Sequence, residues 1–127
     1  MPRIRPRPAS DFEVRESTVP GAGLGLFARQ AIGIEETIGY YSGDLITWDQ
    51  LAAGTYSGSR YIFAISRKML VVAEGPRSNH TRYINHSPEP NAFAIVSTRW
   101  RSVRIEAVKP IAPGEEIFLD YGEQYWR

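Results

Sequence analysis

Cysteine is absent from this chain of 127 residues, and histidine occurs only twice. The absence of cysteine excludes disulfide bonds, thiolate zinc sites and a cysteine nucleophile. His80 and His86 offer at most two imidazole ligands, and no metal site is predicted. No apolar run reaches the roughly 18–20 residues that span a membrane, and the N-terminus lacks the apolar core of a signal peptide. We therefore expect a soluble, intracellular protein, cytoplasmic or, if its source is eukaryotic or viral, nuclear.

A strong excess of positive charge is also missing. The 15 Lys and Arg residues are balanced by 14 Asp and Glu residues, which gives a net charge of +1. Proteins that bind nucleic acids through phosphate contacts usually carry a larger basic excess. Arginines near residues 3–7 and 99–104 keep nucleic-acid binding as a third hypothesis, but we consider it unlikely on these grounds.

The composition is that of an ordinary globular domain, with 43% hydrophobic and 23% charged residues. A chain of this length is long enough to enclose one hydrophobic core. Residues 1–10 alternate arginine with proline, which cannot donate to a sheet, so they are predicted to form a flexible basic tail. The folded domain is predicted to span residues 11–127.

Short strand patterns separated by glycine and proline dominate the remainder of the chain. Residues 103–107 alternate apolar with charged side chains, as expected for a half-buried strand. Residues 47–53 form the clearest helical pattern, with Thr47 as a candidate N-cap. The sequence therefore predicts a mainly β domain. Predicted strands cover residues 11–19, 24–28, 37–47, 61–65, 69–73, 91–97, 100–108 and 116–119.

Three glycines alternate with other residues at positions 21, 23 and 25. Their spacing does not match the dinucleotide-binding or phosphate-binding glycine motifs. Glycine permits a tight bend between strands, and it also lets a ligand lie directly against the backbone. By themselves, these glycines leave both interpretations open.

Four stretches together resemble, in order, the motifs of the SET-domain family of protein-lysine methyltransferases. The first two are Gly-Leu-Gly-Leu-Phe-Ala at residues 23–28 and Tyr-Ser-Gly-Asp-Leu-Ile at residues 41–46. The third is Arg-Tyr-Ile-Asn-His-Ser at residues 82–87, and the fourth is the stretch 114–122, which begins Gly-Glu-Glu and ends Asp-Tyr-Gly. The resemblance covers about residues 11–126, nearly the whole chain.

The resemblance implies a SET-domain (β-clip) fold of several small sheets with short helices. It also implies a pseudoknot-like C-terminal segment threaded under the loop that contains Asn85 and His86. The implied activity is transfer of a methyl group from S-adenosylmethionine to a lysine of a basic protein, such as a histone or histone-like protein. The alternative is a catalytically silent SET module that binds cofactor or peptide.

The resemblance also implies roles for individual residues. The catalytic residues would be Tyr121 and Tyr41. The cofactor would be bound by Gly23, Leu24, Gly25, Arg82, Asn85, His86, Tyr121 and Trp126. The lysine channel would be lined by Tyr41, Leu119 and Tyr121.

Two departures from the family pattern shape further expectations. Pro88 stands where many family members carry a zinc-binding cysteine, so the site is expected to close without zinc, through residues 123–127 or a second subunit. A homodimer is therefore one candidate assembly. Leu119 has no hydroxyl with which to hold a water molecule beside the lysine, so di- or trimethylation is expected to be possible.

Carboxylates at positions 115, 116, 120 and 123 would form either a rim that attracts a basic peptide or a solvated face.

Overall fold

The computed structural model describes residues 5–54, 62–66, 69–73 and 78–120, and most of its elements are short strands. The predicted site residues Tyr121 and Trp126 lie outside these ranges. The strands are β1 Phe12–Glu16, β2 Leu24–Ala28, β3 Thr37–Tyr40, β4 Asp44–Thr47, β5 Ile62–Ala64, β6 Met69–Val72, β7 Asn85–His86, β8 Ala92–Ser97, β9 Ser102–Ala107 and β10 Phe118–Leu119. The helical elements are α1 Trp48–Ala52 and two 3₁₀ turns, Ala9–Asp11 and His80–Tyr83.

The first sheet is the antiparallel pair β1–β2, in which Val14 lies opposite Leu26. Strand β2 is almost entirely buried after its first residue. The Arg15 guanidinium lies 3.6 Å from the centre of the Phe27 ring, and Phe27 also bridges to Glu116 from the C-terminal segment. Strand β2 is therefore covered by β1 and by the C-terminal segment, which explains its continuous apolar sequence.

The largest sheet has five strands in the order β3-β9-β8-β10-β7. Strands β8 and β9 form an antiparallel hairpin, and β9 buries every second residue, Val103, Ile105 and Ala107. The alternation predicted from the sequence is confirmed. These side chains form the main core together with other buried residues: Phe12, Leu26, Ala28, Ile32, Ile38, Ile65, Val71, Ile84, Ala92, Ile111, Ile117 and Leu119.

The C-terminal strand β10 is inserted between two strands that are neighbours in the sequence. It runs parallel to β7, where Leu119 lies opposite His86, and parallel to β8, where Leu119 lies opposite Ala92. Residues 87–91 join β7 to β8 and hydrogen-bond to the inserted segment, since Ser87 N donates to Leu119 O at 2.8 Å. Asn91 Nδ2 donates to Glu116 O, and Asn91 Oδ1 accepts from Phe118 N, both at 2.9 Å. The predicted threaded arrangement is confirmed.

The third sheet, in the order β4-β6-β5, has a small core of its own, formed by Ile46, Leu70, Val72 and Leu51. Helix α1 follows β4 and begins at a complete capping box, in which the side chains of Thr47 and Gln50 each bond the other residue's backbone amide. The predicted helix and its N-cap are confirmed. No helix within the described ranges is long and apolar enough to cross a membrane.

Residues 37–47, which the sequence analysis predicts as one continuous strand, instead form two strands in different sheets. That prediction is wrong because the chain bends at residues 41–43. There Gly43 lies directly against the Val72 carbonyl, where a Cβ atom would overlap the backbone. This close tertiary contact is invisible in the local pattern.

The boundary predicted between a basic tail and the domain stays a prediction. Within the predicted tail, however, Arg7 contacts the domain. Its backbone N donates to Thr37 O at 2.9 Å, and its guanidinium forms ion pairs with Asp11 and Glu36 at 3.0 and 2.8 Å. Arg7 therefore connects the N-terminal segment to β3.

Candidate functional site

The predicted cofactor-binding stretches, residues 23–25 and 85–86, meet in the structure. Asn85 Nδ2 donates to Leu24 O at 2.9 Å, which ties β7 to the first residue of β2. The same nitrogen lies 3.3 Å from Glu116 Oε2. Because β7 also pairs with β10, the Asn85 segment is fixed on two sides.

Glu116 lies at the centre of this cluster, and the sequence analysis did not select it as a site residue. Its side chain is buried, with the residue only 6% exposed. Oε1 accepts from Thr18 N at 2.8 Å and Thr18 Oγ1 at 2.6 Å, while Oε2 accepts from Ser17 Oγ at 2.7 Å. Glu116 therefore does not belong to the carboxylate rim considered above. A carboxylate inside the apolar pattern of residues 116–119 was the available sequence signal.

The ionisation of Glu116 follows from these contacts. Burial raises the pKa of the Glu116 carboxyl, but hydrogen bonds from Thr18, Ser17 and Asn85 outweigh it and hold that pKa below the ordinary value of 4.5. The carboxylate is therefore charged at neutral pH.

The structure gives a different reason for the presence of each of the two glycines in the first motif. Gly23 has φ of 79°, a left-handed conformation that favours glycine, and its carbonyl accepts from Ser17 N at 2.8 Å. Gly25 is buried, and a Cβ atom there would collide with Glu116 Oε2 and lie 3.3 Å from Asn85 Nδ2. By contrast, Leu24 is 50% exposed, so this edge is open to solvent beside a tightly packed interior.

His86 and Leu119 are neighbours across β7 and β10 but differ in surroundings. His86 Nδ1 lies 3.8 Å from Asp120 Oδ1, an ion-pair distance when the imidazole is protonated. Leu119 is 1% exposed and belongs to the main core. Tyr121 follows β10 by two residues, so the β7–β10 pairing fixes the chain that leads to it.

Tyr41 directly follows β3, and its backbone N donates to Val103 O at 2.8 Å. Its ring packs against Phe63 with centroids 5.6 Å apart. The preceding carbonyl, Tyr40 O, accepts from Asn79 Nδ2 at 2.9 Å and from Thr81 Oγ1 at 3.3 Å. The segment before Asn85 is thereby attached to β3.

Arg82, another predicted cofactor residue, has a guanidinium that is hydrogen-bonded to nearby groups. Its guanidinium donates to Ala73 O and Ser78 Oγ, each at 3.3 Å, and to Tyr83 Oη at 2.7 Å. It therefore contacts the end of β6 and its own 3₁₀ turn.

Within the described part of the chain, no group of three or more His, Asp or Glu side chains is arranged to hold a metal ion. What the cluster offers is a rigid, partly exposed backbone edge at residues 23–24, held by Asn85 and by a buried carboxylate. Such an edge can orient a bound molecule through main-chain groups, and orientation is a large part of what an enzyme supplies in a displacement reaction.

Comparison with known proteins identifies this fold. The family model described as SET domain matches residues 23–122. Histone-lysine N-methyltransferase Set2 of Drosophila melanogaster is 38% identical over 112 residues, covering 83% of this chain and 5% of that protein. Histone-lysine N-methyltransferase MEDEA of Arabidopsis thaliana is 30% identical over 105 residues, covering 78% of this chain and 15% of that protein.

Solved structures give the same result. The Chaetomium thermophilum polycomb repressive complex 2 matches with a TM-score of 0.78 and 27% identity, over 88% of this chain and 15% of that one. A structure of ctPRC2 in an autoinhibited conformation bound to S-adenosylmethionine matches with a TM-score of 0.77, at the same identity and coverage. The chain thus spans 5 to 15% of the length of these relatives. A family match over most of the chain, on a fold with the expected threaded strand, shows that the chain belongs to the SET-domain family.

Proposed function

We propose that this chain is the catalytic domain of an S-adenosylmethionine-dependent protein-lysine N-methyltransferase. The observation that carries the proposal is the family match over residues 23–122, which includes both Gly23 and Tyr121. Two further facts support it. Relatives that are 30% and 38% identical over the aligned region are named histone-lysine N-methyltransferases, and one matching structure contains S-adenosylmethionine.

The residues at the edge of β2 fit such a cofactor. When bound, S-adenosylmethionine supplies an electrophilic methyl group on a sulfonium. The exposed backbone at Gly23 and Leu24 would lie against it, and Asn85 would hold this backbone through Leu24 O. The Asn85 side chain is thus already committed to β2, so its contribution to binding would come mainly through its main chain and through this support. The remaining proposed cofactor residues are Gly25, Arg82, His86, Tyr121 and Trp126.

The lysine would approach through a channel lined by Tyr41, Leu119 and Tyr121. Its amine must be neutral to attack, although the pKa of a free lysine is about 10.4. An aromatic channel beside a sulfonium lowers that pKa, because desolvation and a like charge both disfavour the ammonium form. Tyr121 would orient the neutral amine, and no strong base is required.

The proposed substrate is a lysine-bearing basic protein, with histones or histone-like proteins as the first candidates. This follows from the names of the relatives and from the chemistry of the site, in which only an amine needs to reach the methyl group. A homodimer whose second copy helps to close the site stays a finer proposal. Sedimentation equilibrium that shows only monomer at micromolar concentration would remove it.

The direct test is methyl transfer from labelled S-adenosylmethionine to a panel of histones and other basic proteins. The wild-type chain should label at least one of them. Tyr121→Phe should lower kcat by about a hundredfold, because it removes the hydroxyl proposed to act at the reacting centre. Mass spectra of the product should show more than one methyl group, as Leu119 predicts.

Cofactor binding measured separately by calorimetry makes the outcome decisive. Binding without transfer by the wild-type chain to any protein in the panel would favour a silent SET module. Equal turnover by the wild-type chain and Tyr121→Phe would contradict the role given to Tyr121.

A further inference from the structure

Glu116 joins parts of the chain that are far apart in sequence. Its two carboxylate oxygens have different partners: Oε1 accepts both hydrogen bonds from Thr18, and Oε2 accepts from Ser17 Oγ and Asn85 Nδ2. The partners are separated from it by 98, 99 and 31 positions. One buried side chain therefore fixes the turn that follows β1 and also fixes β7.

Two of the three partner residues of Glu116, Ser17 and Asn85, in turn hold the proposed cofactor edge. Ser17 N donates to Gly23 O at 2.8 Å, and Asn85 Nδ2 donates to Leu24 O at 2.9 Å. The carbonyls of Gly23 and Leu24 are thus each one hydrogen bond away from a residue that Glu116 anchors. Gly25 completes the arrangement, because a side chain there would occupy the place of Glu116 Oε2.

Glu116 itself is covered by protein, while Gly23 and Leu24 are exposed. Glu116 can therefore hold the exposed binding edge in its conformation without contacting the ligand itself. A carboxylate suits this position, because it only accepts hydrogen bonds, and Ser17, Thr18 and Asn85 all donate to it.

We propose that Glu116 is a positioning residue that preorganises the Gly23–Leu24 backbone for the cofactor through Ser17, Thr18 and Asn85. This inference rests on the proposed function, since it concerns the same site. Its consequence is that the loss of Glu116 weakens cofactor affinity and leaves the methyl-transfer step nearly intact. Preorganisation lowers the free-energy loss of ordering the edge on binding, and the reacting atoms are contacted by other residues.

The test variant is Glu116→Gln, which keeps size and shape. In either amide orientation an NH₂ group replaces one acceptor, so it faces either the donors of Thr18 or those of Ser17 and Asn85. One anchor is therefore lost in both orientations. S-adenosylhomocysteine should bind about tenfold more weakly by calorimetry, as expected for one buried donor left unpaired. The KM for S-adenosylmethionine should rise by a similar factor, while kcat at saturation stays within about twofold.

Hydrogen exchange provides a readout that does not depend on activity. In the ligand-free protein, Glu116→Gln should speed amide exchange across residues 17–25 and leave exchange in β8 and β9 unchanged. Glu13→Gln is the matched control, because it makes the same chemical change at a partly exposed position of β1. It should alter neither affinity nor exchange.

Thr18→Val serves as a second variant if Glu116→Gln folds poorly. It is nearly isosteric, lies at an exposed position and removes only the hydroxyl bond to Oε1. It should weaken S-adenosylhomocysteine binding by about threefold, since it removes one of the hydrogen bonds to Glu116.

The possible outcomes distinguish a failure of this inference from a failure of the proposed function. If the wild-type chain neither binds S-adenosylhomocysteine nor transfers methyl groups, the proposed function fails. If it does both, but folded Glu116→Gln and Thr18→Val bind the cofactor as tightly as wild type, Glu116 has only a structural role. A drop in kcat without a rise in KM would likewise overturn the positioning role.

Discussion

Two hydrogen-bond networks hold the two ends of the segment 79–86, and they use different chemistry. At its carboxyl end, Asn85 joins a network centred on the charged carboxylate of Glu116. At its amino end, Asn79 forms a neutral network in which Nδ2 donates to Tyr40 O and Oδ1 accepts from Thr81 N and Oγ1. The first network lies beside the proposed cofactor edge, and the second lies beside Tyr41.

The difference shows how one short segment serves two functions. The neutral network connects the His80–Tyr83 turn region to Tyr40, 39 to 41 positions earlier in the sequence, and encloses Thr81, which is fully buried. The carboxylate network instead connects residues nearly 100 positions apart, at a partly open edge. A single ionised group can accept several hydrogen bonds at once, whereas an amide must find both donors and acceptors. The charged network is therefore expected to contribute more stability and to depend on pH.

The largest effect is expected from Glu116→Ala. Removing the carboxylate leaves donors on Ser17, Thr18 and Asn85 without their acceptor, and the free energy of unfolding should fall by about 3 kcal/mol. Urea denaturation at neutral pH measures this loss. Glu13→Ala, at a partly exposed position, should change the stability by less than about 0.5 kcal/mol. Similar losses in the two variants would contradict the central role of Glu116.

Acidification should reduce the difference in the free energy of unfolding between wild type and Glu116→Ala. The folded-state pKa of Glu116 lies below the ordinary carboxyl value of 4.5, so its contribution is complete above that value. The contribution is lost as the pH falls from 4.5 through the folded-state pKa, because the unfolded state binds the proton first. The gap between wild type and Glu116→Ala should therefore narrow in acid.

The sequence predicted local features of this molecule well. The start of helix α1 was predicted from Thr47 as its N-cap, and β9 from its alternation. The resemblance to the SET-domain family added the threaded strand, which no local pattern encodes. The contact between Asn85 and Leu24 agrees with the motifs brought together by that resemblance.

Features that depend on distant contacts were not predictable in this way. Strand β7 has two residues, too few to show a period. The role of Glu116 depends on Ser17 and Thr18, which no motif connects to it. The bend at Gly43 depends on the Val72 carbonyl, so a continuous β pattern was misread as one strand.

A smaller effect is expected from Asn79→Ala. The change removes the bonds to Tyr40 O and Thr81 and the cap of the 3₁₀ turn, so the free energy of unfolding should fall by about 2 kcal/mol. Because the bonding groups of this network are neutral, the loss should be the same at pH 7 and in mild acid. Ser97→Ala, at the partly exposed end of β8, is the control, since it removes a single exposed hydrogen bond from Trp100 N. A loss that shrank on acidification, as for Glu116→Ala, would remove the distinction between the two networks.

The smallest effect concerns His80, which adjoins the neutral network. Its ring stacks on Phe12 with centroids 5.0 Å apart, and Nε2 is buried with no hydrogen-bond partner among the described residues. Burial lowers the pKa of His80 below 6.5, and a hydrogen bond with the Ile38 backbone opposes this only in part. The unfolded state therefore takes up the proton first. The contribution of the neutral His80 ring to the free energy of unfolding is complete above pH 6.5 and declines as the pH falls towards the folded-state pKa.

Comparing the two histidines isolates this effect, because the chain contains no others. In His80→Gln, the decline in stability between pH 7 and pH 5.5 should be much weaker than in wild type, as measured by urea denaturation at each pH. His86→Gln, the same chemical change at a partly buried position of β7, should keep the wild-type decline because it leaves the His80 ring in place. If His86→Gln lost the decline instead, the acid sensitivity in this range would belong to the β7–β10 edge, and the neutral network would be insensitive to pH throughout.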